Sequence, residues 1–353
     1  ITIVTTTGGI AGGAATSVVS SGGVGGGTTA LGTVPSATDP AVVVGQTGGS
    51  GGAGGTIALR SGSTTQSVNL GFVEAFGGDA GTLAGDGKVG SGGNGGNVTI
   101  EGEGATSGSI ANGNISVTRI ASIGGSSDSS ATVKYSTGDG GNGGAITVQT
   151  SADLSTSPPA LFAAIKSRGG VSATRTIVTS KVPTGGGGGT VNVTAGSISS
   201  VAKQISSDGG NGGATGAAAA DLATQRAGVG GTGGNVTVTV TGTADYVPNV
   251  GSFAGFAGNA AGTGAIFDGI NGNGGAVTVN HTGASGTIDL NNAAGPLVTS
   301  GGGAININNG NKDLIISRPG SITLSTASAI DFNRDTETFV SHNGGDVTIT
   351  SKD

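Results

Sequence analysis

Paired carboxylates are what a polysaccharide-cleaving enzyme needs, and two groupings of acidic residues invite that chemistry. One is Glu101 with Glu103, the other Asp331 with Asp335 and Glu337. Glycoside hydrolysis sets two carboxyls across a cleft, one protonating the leaving oxygen and the other attacking or activating water. Glu101 and Glu103 alternate, so on a strand they share one face, where such a pair ordinarily forms a solvated rim. The segment from Asp331 to Glu337 is the most charged in the chain and reads as an interface or loop. The remaining acidic residues are dispersed, and no Trp is present to serve as a sugar platform. The expectation is a protein without catalytic residues, not an enzyme. The alternative is a carbohydrate-active lyase or hydrolase.

Metal chemistry has one candidate. Asp139-Gly140-Gly141-Asn142-Gly143-Gly144 and Asp208-Gly209-Gly210-Asn211-Gly212-Gly213 are the same hexapeptide twice. Asp and Asn oxygens in a glycine-rich corner suit calcium, but the calcium nonapeptide pattern is not met. Turn chemistry is the simpler use of these residues, so no cofactor is expected. The chain has no Cys, which removes disulfides, thiolate nucleophiles and zinc knuckles, and only His281 and His342 as imidazoles. A net charge of −6 with scattered Lys and Arg leaves no basic patch for nucleic acid. No run approaches 18 apolar residues, so no membrane-spanning helix is expected. Asn-x-Ser/Thr glycosylation acceptors stand at Asn97, Asn114, Asn192, Asn235 and Asn280. Three of them fall out of a strand motif and would share its outward face with the Thr.

The elements that must hold these residues follow from a repeat. Of 353 residues 78 are Gly and only 10% are charged, a composition that could mean disorder. The β-branched residues, however, fall in short alternating runs, as half-buried strands require. Collagen is excluded, because glycine has no period of three and Pro numbers eight. The repeat is Gly-Gly, any residue, then apolar–polar–apolar. It occurs eight times, with first glycines at Gly54, Gly95, Gly143, Gly188, Gly233, Gly274, Gly302 and Gly344. The spacings are 41, 48, 45, 45, 41, 28 and 42. Each copy reads as a corner followed by a strand with two apolar side chains on one face, Val98/Ile100, Val236/Val238 and Val277/Val279 among them. One such strand cannot bury its face; copies stacked in register can.

Three apolar runs per copy (146–148, 161–165 and 176–178 in the copy from Gly143) predict an all-β parallel β-helix, a solenoid of about eight or nine large three-faced rungs. The copy from Gly302 has extra runs and room for more than one rung. The glycine tracts, such as Gly92 to Gly96 and Gly185 to Gly189, lie at one corner. There they either form flexible loops or bond between rungs as polyproline-II-like chains. Residues 217–226 (AAAADLATQR) have the propensity for a short helix. Since solenoids grow by copy number, residues 1–353 are expected to form a single domain.

The motif and tracts such as Gly92-Gly93-Asn94-Gly95-Gly96-Asn97-Val98-Thr99-Ile100 resemble the repeat regions of filamentous-haemagglutinin-like exported proteins, bacterial surface β-helices. The resemblance covers roughly residues 50–353 and is one of repeat style; rungs here are longer and richer in glycine. It implies a right-handed parallel β-helix, export, and an adhesive or matrix role. The function expected is therefore structural: a subunit or segment of an extracellular filament, sheath or adhesin, with cell-surface glycans as possible partners. Ice binding needs flat ranks of Thr, which only Thr237 to Thr241 approach, so it ranks last. The chain opens on Ile1-Thr2-Ile3-Val4, as a processed chain or a piece of a longer one would. Head-to-tail assembly through Ile1 and Ile3 on one copy and Val347 and Ile349 on the next is the partner expected, a copy of itself.

Overall fold

A computed structural model describes residues 1–5, 8–27, 46–62, 68–81, 87–102, 113–127, 138–156, 164–174, 182–201, 204–214, 225–243, 249–259, 266–267, 269–283, 298–299, 305–308, 314–316, 322–325, 330–333, 338–340 and 347–350, of which those from 298 onward are described as backbone only. Among them there is no helix, and every strand pairing is parallel. Two sheets carry the fold. The first has nine strands in sequence order: Thr2–Thr5, Ile57–Ser61, Val98–Glu101, Ile146–Gln149, Val191–Ala195, Val236–Val240, Val277–His281, Ile305–Asn308 and Ile330–Asn333. The chain thus returns to this sheet once per pass, moving one strand along each time.

The repeat explains the register. Ile146 faces Val98 and Val191, and Val148 faces Ile100 and Val193. Their side chains form two inward columns, and Val98, Ile100, Val236, Val238, Val277 and Val279 are wholly buried. Fully burying each such side chain contributes about 1.5–3 kcal/mol relative to exposure. The opening residues form the first strand of this sheet, Ile3 opposite Leu59, as expected of a further copy. The copy from Gly302 does hold two passes, because Ile305–Asn308 and Ile330–Asn333 are neighbours in the first sheet.

The second sheet closes the core from the other sides. Val68–Phe76 and Ile115–Ile123 are long strands that run through it whole. The first half of Ile115–Ile123 pairs with Asp153–Thr156, and its second half with Ile165–Arg168. From there the rank continues through Ile205–Asp208, Val250–Phe253, Val298–Thr299, Ile322–Ser325 and Val347–Thr350. One expectation is corrected here. The eighth motif strand, Val347-Thr348-Ile349, lies in the second sheet, whereas Ile1 and Ile3 belong to the first. The strand that ends the first sheet is Ile330–Asn333. The motif fixes which side chains alternate inward but not which sheet receives them. Of the predicted helix, residues 217–224 lie outside the described residues; Gln225 and Arg226 form a short strand beside Ile266–Phe267. The third run expected at 176–178 also lies outside the described residues.

The glycine tracts bond to one another beside the two sheets. Departing tracts leave the second sheet at 22–27, 77–81, 124–127, 169–173, 209–214 and 254–259. Returning tracts lead into the first sheet at 48–56, 89–97, 138–145, 182–190, 227–235 and 269–276. Their hydrogen bonds have a period of three. In one departing tract, Gly77 N–H and Ala80 N–H donate to Ile123 O and Ser126 O of the next departing tract. Gly78 and Gly81 donate to Gly52 O and Gly49 O of the preceding returning tract. Three residues per turn with all bonds going to neighbours is polyproline-II geometry. The two kinds of tract alternate along an unbroken ladder: Gly52 donates to Gly23, Gly78 to Gly52, Gly93 to Gly78, and so on through Gly125, Gly141, Gly170, Gly186, Gly210, Gly231 and Gly255 to Gly272, all at 2.7–3.1 Å. A Cβ on Gly141 would fall far inside contact distance of Gly93 O, and one on Gly186 far inside that of Gly141 O. That close approach, not a special backbone angle, is why glycine is needed. Glycine therefore does have a local period of three, Gly-Gly-x, in tracts too short to impose it on the whole chain.

Candidate binding groove

The third position of a triplet is where a side chain fits, and several of these side chains serve the neighbouring pass. Asn94 Oδ1 accepts from Asn142 N–H at 2.9 Å, and Asn142 Oδ1 from Gly187 N–H at 2.7 Å. Asp79 Oδ1 accepts from Ser126 N–H, and Asp139 Oδ1 from Thr184 N–H. The oxygens that invited calcium in the first hexapeptide are therefore engaged with backbone amides. In the second, Asn211 Oδ1 accepts from Phe256 N–H at 3.1 Å, while Asp208 meets Lys166 at 2.5 Å. Among the described residues no three His or acidic side chains gather as a metal ion would require. His281 is buried at the inward end of its strand, and His342 lies outside the described residues.

A column of serines, which sequence reading missed, joins the β core to the glycine layers. Ser20, Ala75, Ser122, Ser167, Ser207 and Ser252 occupy one register position of the second sheet. Ser122 Oγ donates to Gly96 O at 2.7 Å and accepts from Gly144 N–H at 2.8 Å. Ser167, Ser207 and Ser252 repeat both bonds one pass further on each time. The signal for it is Ser two residues after a buried Ile or Val, at Ile120-Ala121-Ser122, Ile165-Lys166-Ser167 and Ile205-Ser206-Ser207.

The carboxylates do not converge. Glu101 pairs with Arg60 of the preceding pass at 2.5 Å. Glu103, Asp335 and Glu337 lie outside the described residues, and Asp331 is placed as backbone only, on the strand Ile330–Asn333. Glu74 stands 3.1 Å from Arg119 Nη1 on the outward side of the second sheet. Burial pushes its carboxyl above the ordinary glutamate value, and the Arg119 guanidinium pulls it back. Of the glycosylation acceptors, Asn97, Asn114, Asn192 and Asn235 are exposed and Asn280 is half-buried. Asn97 Oδ1 and Asn235 Oδ1 accept from Ala145 and Ala276 N–H, and Asn280 Nδ2 donates to Thr239 Oγ1.

The described structure does form a groove where the outward side of the second sheet meets the departing tracts. One outward column runs Phe76, Ile123, Arg168, Asp208, Phe253. Lys166 stands one alternation before Arg168. Lys166, Arg168, Asp208 and Phe253, with Asn211, Phe256 and Asn271, line a cavity of about 500 Å³. A second cavity of about 660 Å³ adjoins it, sharing Asn211, Phe256 and Asn271 and adding Ala214 and Asn259. The floor is glycine backbone. A Cβ on Gly251 would press on the Phe253 ring, with Cζ at 2.7 Å, so glycine here leaves that ring its place. No protein-family model matches this chain, and no curated protein or solved structure matches it.

Proposed function

We propose that the chain is a parallel β-helix carrying a slab of polyproline-II glycine chains, and that it is an extracellular structural protein. It serves as a subunit or segment of a surface filament, sheath or adhesin, and it elongates by stacking on copies of itself. The observation that carries this reading is the glycine ladder from Gly23 to Gly272. A hydrogen-bonded ladder running across successive passes in parallel with two β-sheets makes a stiff element, whatever chemistry its surface bears. The absence of Cys and Met suits an oxidising exterior.

Elongation is supported by the first pass. Among the described residues Thr2–Thr5 pairs with Ile57–Ser61 alone, and Ile1 and Val4 are 51% and 58% exposed. A strand edge can take a strand from another chain. With Ile330–Asn333 at the far end of the first sheet, Ile1 and Ile3 stack on Ile330 and Phe332 of the next copy. Val347 and Ile349 then meet the second-sheet strand that includes Val18. Such a contact does not close on itself and yields a fibre. Negative-stain microscopy tests this: the protein should form filaments, and the variant with Ile1→Lys and Ile3→Lys should remain as single particles. Filaments of undiminished length from the variant would contradict the contact.

A further inference from the structure

The groove beside Phe256 gives the adhesive reading a partner of definite chemistry. Three observations converge on it. The first is the place of the groove in the glycine slab. The tracts 254–259 and 269–276, between the strands Val250–Phe253 and Val277–His281, are the last pair described. Among the described residues the outward column Asp79, Ser126, Val171, Asn211 reaches an aromatic ring, Phe256, which is 71% exposed; Ile270 in the returning tract is 53% exposed. Among the described residues the other large exposed apolar side chains, Ile1, Val4, Val19 and Val24, all belong to the first pass. Phe256 thus presents an apolar platform away from the surface already assigned to stacking.

The second observation is charge. Lys166, Arg168 and Asp208 line the groove, and Asp208 is spent on Lys166. The groove carries two cations against one carboxylate in a chain of net charge −6. The third is donor excess. Asn211 Oδ1 and Asn271 Oδ1 already accept from Phe256 and Ala257 N–H, so what these amides offer a ligand is their Nδ2 hydrogens. An apolar ring, a guanidinium and amide donors together select a ligand with a flat C–H face, many acceptor oxygens and negative charge.

We propose that this groove binds a uronic-acid-containing oligosaccharide. A sugar ring stacks on Phe256, its carboxylate pairs with Arg168, and the Asn211 and Asn271 amides donate to its hydroxyl oxygens. Arg suits this role because its planar fork matches a carboxylate with two parallel hydrogen bonds. The groove binds and does not cleave. The proposal rests on the adhesive reading for its setting only, and its test is run on protein that does not elongate.

The experiment is calorimetric titration of the Ile1→Lys, Ile3→Lys protein with an oligogalacturonate and with its methyl ester, the same sugar with its charge removed. The acid form should bind, more weakly as salt rises, and the ester should bind about tenfold more weakly or less. Arg168→Gln should cost the acid form about tenfold and leave the ester unchanged. Phe256→Ser, a change at an exposed ring, should weaken both, while Arg60→Gln, outside the groove, should alter neither. Equal affinity for acid and ester, no binding of either, or indifference to Arg168→Gln would overturn the proposal. Loss of filaments in wild-type protein with binding intact would instead strike the stacking contact.

Discussion

At the scale of single residues, the assignment of side chains to the two faces of the first sheet makes a sharp contrast. Val236 is wholly buried, and Thr237, one residue on, is half-buried on the outward face. Val236→Asp places an unpaired charge among apolar columns and should cost about 3–5 kcal/mol. Thr237→Asp should stay within about 0.5 kcal/mol. Urea denaturation of the two variants reads the difference, and equal losses would refute the assignment. The serine column yields a gain as well as a loss. Ser167→Ala removes the acceptor of Gly189 N–H and the donor to Gly144 O, and should cost about 1–3 kcal/mol. Ala75 is the one member of the column without a hydroxyl, opposite Ser20 and Ser122. Ala75→Ser supplies a donor for Gly55 O and an acceptor for Gly96 N–H, and should stabilise by about 0.5–1.5 kcal/mol. A destabilised Ala75→Ser protein would mean that the column is not built as a ladder. The apolar alternation was legible in the sequence because buried Val and Ile betray their face. The serine column was not, because an inward Ser with two backbone partners has the same letter as a solvated one.

At the scale of elements, the glycine tracts obey a rule that distinguishes adjacent residues of one type. Gly186 packs against Gly141 O with no room for a Cβ. Gly187 occupies the outward position of its triplet, where an added Cβ would meet nothing nearer than Thr232 Oγ1 at 3.4 Å. Gly186→Ala should therefore cost about 3 kcal/mol or more. Gly187→Ala should be neutral or stabilise by up to about 1 kcal/mol, since it restricts the unfolded chain. Thermal melting of both proteins checks the pair, and similar melting temperatures would show that the triplet is misassigned. From sequence, the tracts could be placed at a corner of each pass, and bonding between rungs was one of two readings. Their triplet register was hidden, since stretches such as Gly185 to Gly189 show glycine at inward and outward positions alike. The polar strand Asp153–Thr156 was missed for the opposite reason: its single apolar residue, Leu154, gives no alternation to detect. That Val347–Thr350 belongs to the second sheet was not legible, because identical motifs can serve either sheet.

At the scale of the whole molecule, stability is shared between two cores of different chemistry. One is an apolar core of Val, Ile and Leu columns, stabilised by burial. The other is a glycine slab that buries few side chains, Ala80, Val89 and Ala173 among them, and is held mainly by backbone hydrogen bonds, each contributing about 0.5–1.5 kcal/mol net. The serine column bonds one to the other at successive passes, so the slab and the sheets should open together rather than the slab fraying first. Amide hydrogen exchange, followed residue by residue in the intact protein, tests this most directly. Gly93, Gly141, Gly186 and Gly231, the ladder donors, should be as strongly protected as Val148 and Val193 in the first sheet, and all should exchange through one shared opening. Glycine amides exchanging at the rate of unstructured chain, while the Val amides stay protected, would contradict the account and return the tracts to the status of surface loops.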